Sequence, residues 1–246
     1  MSKKGKSIVL NILFVICACV FIVSSYMLYK EIMVYKKGSN EYSSWVDLAV
    51  TYEDGDTNNP LKRVINFDEL KKTNPDVIGW IYIPDTVVDY PVVQCDNNDK
   101  YLHTLFSGEN NKAGAIFVDA RNTMNFTDQN TIIYGHNMKN KSMFHVLSEY
   151  GSQEFYDKHN VIYYYTIDGV YELRIFSTYT VHANDPYTSI NFGEQRSDLI
   201  NKFVERSAVN SSFTVGTNDK ITSLSTCAYN FEDARFVVQA TVNKMP

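Results

Sequence analysis

The stretch Ile221 to Val242, ITSLSTCAYNFEDARFVVQATV, sets the frame for the whole chain. Ile221 to Thr226 alternates apolar and hydroxyl residues, and Phe236, Val238, Ala240 and Val242 form one face of a second run, so two strands flank a short polar connection. Paired as a hairpin with strands about 4.8 Å apart, they bring Cys227 at the end of the first and Arg235 at the start of the second to the same sheet edge. Arg235 shares its face with Val237, Gln239 and Thr241, opposite Phe236 and Val238. It can therefore point into a groove while its neighbours fill a core.

Upstream, further short strands are expected. Val161 to Thr166 and Val170 to Thr180 are joined through Asp168-Gly169, the strongest hairpin cue in the chain. Thr131 to Tyr134 is a strand that runs into Gly135-His136-Asn137, and Ala115 to Asp119, Val87 to Val93 and Ile78 to Ile83 are others. Pro91 confines its strand to an edge or a bulge. Asn66 with Glu69 predicts a capped helix through Lys72, ended by Asn74-Pro75. Met143 to Tyr150 and Glu154 to His159 are short helical stretches. In the longer excursion from His182 to Asn210, Ser197 is expected to cap a helix carrying Leu199, Ile200, Phe203 and Val204 on one face. The result is a mainly β domain with peripheral helices, either a mixed barrel or a sandwich.

Ile8 to Tyr29 carries no charge and is apolar all round, and about 20 such residues cross a bilayer as a helix. No small-x-small cleavage site follows, so an uncleaved signal-anchor is expected. Lys3, Lys4 and Lys6 before it are matched by Lys30, Lys36 and Lys37 after it, which leaves the positive-inside count close to a tie. The short charged N-terminus favours an external C-terminal domain. The expected organisation is a cytoplasmic tail 1–7, a transmembrane anchor 8–29, a juxtamembrane helix and linker 30–60, and one folded domain over 61–246. A net charge of −5 excludes a general nucleic-acid footprint. Cys17 and Cys19 lie in the apolar run, Cys95 and Cys227 beyond it, and no CxxC or Cys/His ladder has zinc spacing. A Cys95–Cys227 disulfide is the first rival to a reactive Cys227, although a fold of this size needs no staple.

A free thiol ionises near pH 8.5, so a nucleophilic cysteine needs a base or a positive field, and acyl transfer needs a donor for the developing oxyanion. Arg235 offers the field and the donor but cannot move protons. A histidine must do that, and the chain has five. His145 and His159 fall on helical patterns, where a solvated face is the ordinary fate; His103 follows Tyr101-Leu102 in a helix or turn; His182 ends a strand and competes. His136 is favoured because a glycine separates it from an apolar strand, a strand-end position where functional groups collect. Each residue also has a bland role: Cys227 as a small core residue, His136 as a surface turn, Arg235 paired with Glu232 or Asp233. The order His, Cys, Arg excludes the papain-like and caspase arrangements.

Together these residues resemble the sortases, membrane-anchored cysteine transpeptidases of Gram-positive bacteria, and within them class B. Leu224-Ser225-Thr226-Cys227, followed by Arg235-Phe236-Val237-Val238, is similar to the family signature, and Thr131 to Met138 (TIIYGHNM) to its histidine segment. Asn74 to Gln94 and Ala113 to Asn122 resemble the early class B strands, and His182 to Asn210 the class B insertion. The resemblance implies an eight-stranded sortase β-barrel with N-terminal helices, and a helix inserted between the sixth and seventh strands. It implies Cys227 as nucleophile, His136 as general acid/base and Arg235 as oxyanion donor, with Tyr187, Thr188 and Ser225 as substrate-binding residues and no cofactor or metal. The expected partners are secreted proteins carrying a C-terminal sorting motif, cleaved after Thr, and an amine of peptidoglycan or its lipid-linked precursor. The expected location is the cell membrane, single-pass, with the catalytic domain outside. Where some relatives carry an acidic residue after the cysteine, this chain has Ala228. A surface-anchored binding barrel with an inert cysteine and a hydrolytic cysteine peptidase are the alternatives.

Overall fold

The computed structural model describes residues 3–246; Met1 and Ser2, the start of the expected tail, lie outside the described residues. Two short strands, β1 (Val50–Tyr52) and β2 (Arg63–Ile65), form an antiparallel pair of their own. The other eight are β3 (Val77–Tyr82), β4 (Asp89–Val93), β5 (Ile116–Val118), β6 (Asn130–Tyr134), β7 (Val161–Thr166), β8 (Gly169–His182), β9 (Ile221–Cys227) and β10 (Ala234–Lys244). They close into a barrel in the order β10-β8-β7-β3-β4-β5-β6-β9. Closure leaves no free sheet edge and decides the choice between barrel and sandwich. Two of its joints are parallel, β4 with β5 and β6 with β9. Pro91 pairs with Trp80 just before the β5 pairing begins at Val92, so one side of its backbone is unpaired where its missing N–H does no harm.

Among the described residues, four α-helices accompany the barrel. In α2 (Phe67–Thr73) the Asn66 side chain accepts the Glu69 N–H at 3.0 Å, the cap that the sequence predicts. α3 (Gln153–His159) follows a 3-10 stretch, Phe144–Gly151. α4 (Arg196–Glu205) lies between the sixth and seventh barrel strands, β8 and β9. It begins before Ser197, which falls inside its first turn and makes no cap; Gln195 is the residue that precedes the helix. Ile200 and Phe203 are buried beneath it, Leu199 packs beside them, and Val204 is 49% exposed.

The first helix, α1, runs unbroken from Lys3 to Ala49. Residues 10–29 are almost wholly exposed, whereas the polar part beyond Lys30 packs on the domain, with Tyr42 and Ala49 buried and Tyr35, Trp45 and Val46 against the core. Those positions recur at three- and four-residue spacing, a stripe that the surrounding Lys, Asn and Ser residues disguise in the composition. Gly38 permits the close approach, since a Cβ there would lie 3.3 Å from the Cβ of Ala113.

The core divides along β10. Phe236, Val238 and Ala240 belong to the larger cluster with Trp80, Ile133 and Leu224, while Val237 joins a second cluster with Tyr179, Tyr187 and Phe203 under the insertion. Alternate residues of one strand thus serve two apolar layers.

Candidate active site

In the β9–β10 register Cys227 lies directly opposite Arg235. On the other side of β9, parallel β6 places Tyr134 opposite Ser225, and two residues further along each chain His136 comes level with Cys227. The ladder continues past the formal strand end: the Gly135 N–H donates to the Ser225 carbonyl at 3.2 Å, and the Thr226 hydroxyl donates to the Gly135 carbonyl at 2.8 Å. The three candidate residues line one open cavity of about 210 Å³, with Leu102, Tyr134 and Ser225 among its other walls.

His136 is half-buried, and its Nε2–H donates to the Leu102 carbonyl at 2.7 Å. A carbonyl only accepts, so Nε2 carries the proton in the neutral ring and Nδ1 is left to exchange one. The backbone carbonyl of His136 accepts from the Phe144 N–H at 2.9 Å, which anchors the loop from behind. Gly135 is small by necessity, because a Cβ would lie 2.5 Å from Ile116 Cδ1 and 2.7 Å from the Phe144 ring. Gly135→Ala is expected to lose about 1–3 kcal/mol of stability by overpacking. It should also lower turnover by displacing His136, outcomes read by thermal denaturation and by a peptide-cleavage assay.

Arg235 is half-buried and makes one hydrogen bond, Nη1 to the neighbouring Ala234 carbonyl at 3.0 Å. It forms no ion pair among the described residues. The alternative pairing with Glu232 or Asp233 is therefore not made; both carboxylates are exposed on the connecting loop, where Asp233 turns at φ +53°. Cys227 and Cys95 are both free thiols, and Cys95 Sγ lies 3.1 Å from the Asn97 carbonyl. The disulfide alternative is thereby overturned.

Two supports were not legible as such in the sequence. Asn137 donates from Nδ2 to the Cys227 carbonyl at 2.8 Å, and its Oδ1 accepts from His145 Nδ1 at 2.7 Å. His145 is thus half-buried and occupied rather than on a solvated face, because its segment winds at three residues per turn, which shifts the faces that a 3.6 period assigns. The adjacency of Asn137 to His136 was the one available signal. The second support is Asp119, fully buried, which accepts from Arg121 Nε and Nη2 at 2.8 Å each and from the Tyr134 hydroxyl at 3.0 Å, steadying a wall of the cavity. Of the remaining histidines, His103 and His182 are exposed, and His159 donates from Nδ1 to the Pro84 carbonyl at 3.1 Å. None of them lines the cavity.

Burial pushes the Asp119 carboxyl up, but hydrogen bonds from Arg121, its backbone N–H and Tyr134 outweigh it and hold the group below the ordinary carboxylate range. With the folded value depressed, its stabilisation is complete above about pH 3.9 and is lost as pH falls through the folded value. Asp119→Asn should therefore start less stable at neutral pH and lose less on acidification below about pH 4, read from melting temperatures across that range.

The three expected substrate contacts occupy different places. Ser225 is on the cavity wall, though only 1% exposed, and its hydroxyl is 2.9 Å from that of Tyr187. Tyr187 is itself buried behind Ser225, and burial pushes its hydroxyl up, with the Ser225 hydrogen bond and the nearby Arg235 charge opposing. Thr188 is half-buried away from the cavity; its carbonyl accepts from Arg121 Nη2 at 3.0 Å.

The Sortase domain family matches residues 81–243. Sortase B of Staphylococcus aureus is 37% identical over 183 residues, covering 73% of this chain and 75% of that protein. Sortase B of Listeria monocytogenes is 38% identical over 197 residues, 78% of each. Among solved structures, a Staphylococcus aureus sortase B–substrate complex superposes with a TM-score of 0.69 at 35% identity, covering 74% of this chain and 86% of that one. Sortase B from B. anthracis superposes with a TM-score of 0.74 at 33% identity, covering 87% of this chain and 100% of that one. A domain match over most of the chain and relatives this close in both sequence and barrel lead to one conclusion: the chain belongs to the sortases, a family of cysteine transpeptidases, and groups with sortase B.

Proposed function

We propose that this chain cleaves a C-terminal sorting motif of secreted proteins after Thr and joins the new acyl end to an amine of peptidoglycan or its lipid-linked precursor. The observation that carries this reading is the register that sets Cys227 opposite Arg235, with His136 level with it on the parallel neighbour. Cys227 gives its thiol proton to Nδ1 of His136, and Sγ attacks the Thr carbonyl carbon, forming a carbon–sulfur bond. Arg235, which pairs with no carboxylate among the described residues, donates to the oxygen as negative charge builds on it. As the tetrahedral species collapses, the peptide C–N bond breaks and His136 gives a proton to the leaving amine. Because Nε2 is spent on the Leu102 carbonyl, that proton leaves from Nδ1. An incoming amine then attacks the thioester carbon, His136 takes its proton, and as the carbon–sulfur bond breaks His136 returns that proton to Sγ.

In this reading Ser225 contacts the bound peptide and Tyr187 holds Ser225 in place. The exposed apolar part of α1 is a single-pass membrane anchor with the barrel outside the cell, a reading supported by the hydropathy and exposure of that helix. Adding an amine acceptor to a cleavage reaction should convert the hydrolysed peptide into an amide product, resolved by chromatography and mass. A product unchanged by the amine would favour a hydrolytic peptidase, and no cleavage of any sorting peptide would favour an inert binding barrel.

A further inference from the structure

α1 carries the apolar run straight into the folded domain, so the height of nearby groups above a bilayer follows from the 1.5 Å rise per residue. The apolar run ends at Tyr29; Tyr26 and Tyr29 are both exposed there, as aromatic residues at a membrane boundary are, and Lys30 lies 5.2 Å from the Tyr26 ring centre. Glu31 is two residues on, about 3 Å along the axis. At that level Lys112 Nζ bonds to Glu31 at 2.7 Å, and Lys112 and Lys139 together act on its carboxylate. Further up, Asn111 Nδ2 donates to the Val34 carbonyl at 3.1 Å, Lys37 pairs with Glu109, and Asn140 Nδ2 donates to Ser39 Oγ at 3.2 Å, about 15 Å above Tyr29. The loop that leaves His136 therefore runs beside α1 at Ser39, and the charge of Lys139 reaches the Glu31 carboxylate.

Lys30, Lys36, Lys112 and Lys139 are all exposed around this level. Lys36 and Lys139 have no ion-pair partner among the described residues. The facing carboxylates are otherwise engaged: Glu31 with Lys112, Glu109 with Lys37, and Glu41 with Ser107. The headgroup layer is about 5–8 Å thick on each side of the hydrocarbon, and charges are felt over roughly 8 Å at physiological salt. These lysines lie within that reach.

We propose that Lys30, Lys36, Lys112 and Lys139 form a basic collar that binds the phosphates of anionic phospholipids and holds the barrel against the membrane surface. The inference rests on the reading of α1 as a membrane anchor. Its consequence is that the loop beginning at His136 is held at a defined height above the surface rather than swinging at the end of a tether.

The test uses the full chain in nanodiscs of phosphatidylglycerol or phosphatidylcholine, each lipid carrying a photoactivatable group either at the headgroup or in the acyl chain. Headgroup crosslinks are expected at 30–39 and 137–142, with phosphatidylglycerol preferred. Each lysine near an anionic surface contributes roughly a fivefold preference, so the Lys36→Gln/Lys139→Gln variant should lose about 25-fold. Added salt should weaken the preference of the unchanged chain in the same direction. Acyl-chain crosslinks at 10–29 in both lipids, combined with headgroup crosslinks that are absent from 137–142 or equal for the two lipids, would overturn the collar alone. Absence of acyl-chain crosslinks at 10–29 would overturn the anchor reading and the collar with it.

Discussion

Cys227→Ala is expected to form no acyl-enzyme and to lower product formation by at least about 10⁴-fold, since a missing nucleophile removes the covalent path altogether. The fold should survive. Cys227 is half-buried at the end of β9, its thiol has no disulfide partner, and its structural tie is the backbone carbonyl held by Asn137, which alanine retains. The check is peptide turnover beside a melting curve. A variant that melts near the unchanged chain and yet turns over at a comparable rate would remove Cys227 from the mechanism.

Arg235→Lys should be impaired nearly as severely as Arg235→Ala, with turnover down by about 10²–10³-fold, the range for losing one oxyanion donor. The lysine keeps the charge, so a pure field effect predicts substantial rescue. A directed planar donor predicts little, because an ammonium on a flexible stem cannot reproduce the guanidinium fork. The geometry favours the directed donor: Arg235 lies opposite Cys227, and its guanidinium donates to the Ala234 carbonyl, which fixes its direction. Comparing kcat across the two variants separates the possibilities. Near-normal kcat in Arg235→Lys would make Arg235 a source of field or a structural residue.

Much of the site was legible because it depends on local pattern. The two-residue period of Phe236 to Val242 fixes which side chains share a face, and a hairpin places its two inner ends together whatever the rest of the chain does. His136 could be singled out because a glycine after an apolar strand marks a strand end. The barrel itself was not legible by pattern, since β10 reaches β8 and β6 reaches β9 across long stretches of sequence, and one strand's alternation is the same in a barrel and a sandwich. The resemblance to sortases supplied that step. The Asn137–His145 pair escaped notice because a 3-10 stretch breaks the helical period, and the Asp119–Arg121–Tyr134 group because it joins a loop to a separate strand. Ser225 and Tyr187 were expected as substrate contacts; that they are bonded to each other and largely enclosed depends on the insertion folding over the barrel, which no local spacing reports.

The most direct measurement is intact and peptide-mapped mass spectrometry of the full chain incubated with a panel of sorting-motif peptides, with and without an amine. An acyl adduct on the peptide containing Cys227, discharged as an amide when the amine is added, is the predicted result. A chain that cleaves such a peptide with no adduct on Cys227, or with the adduct on another residue, would contradict the account.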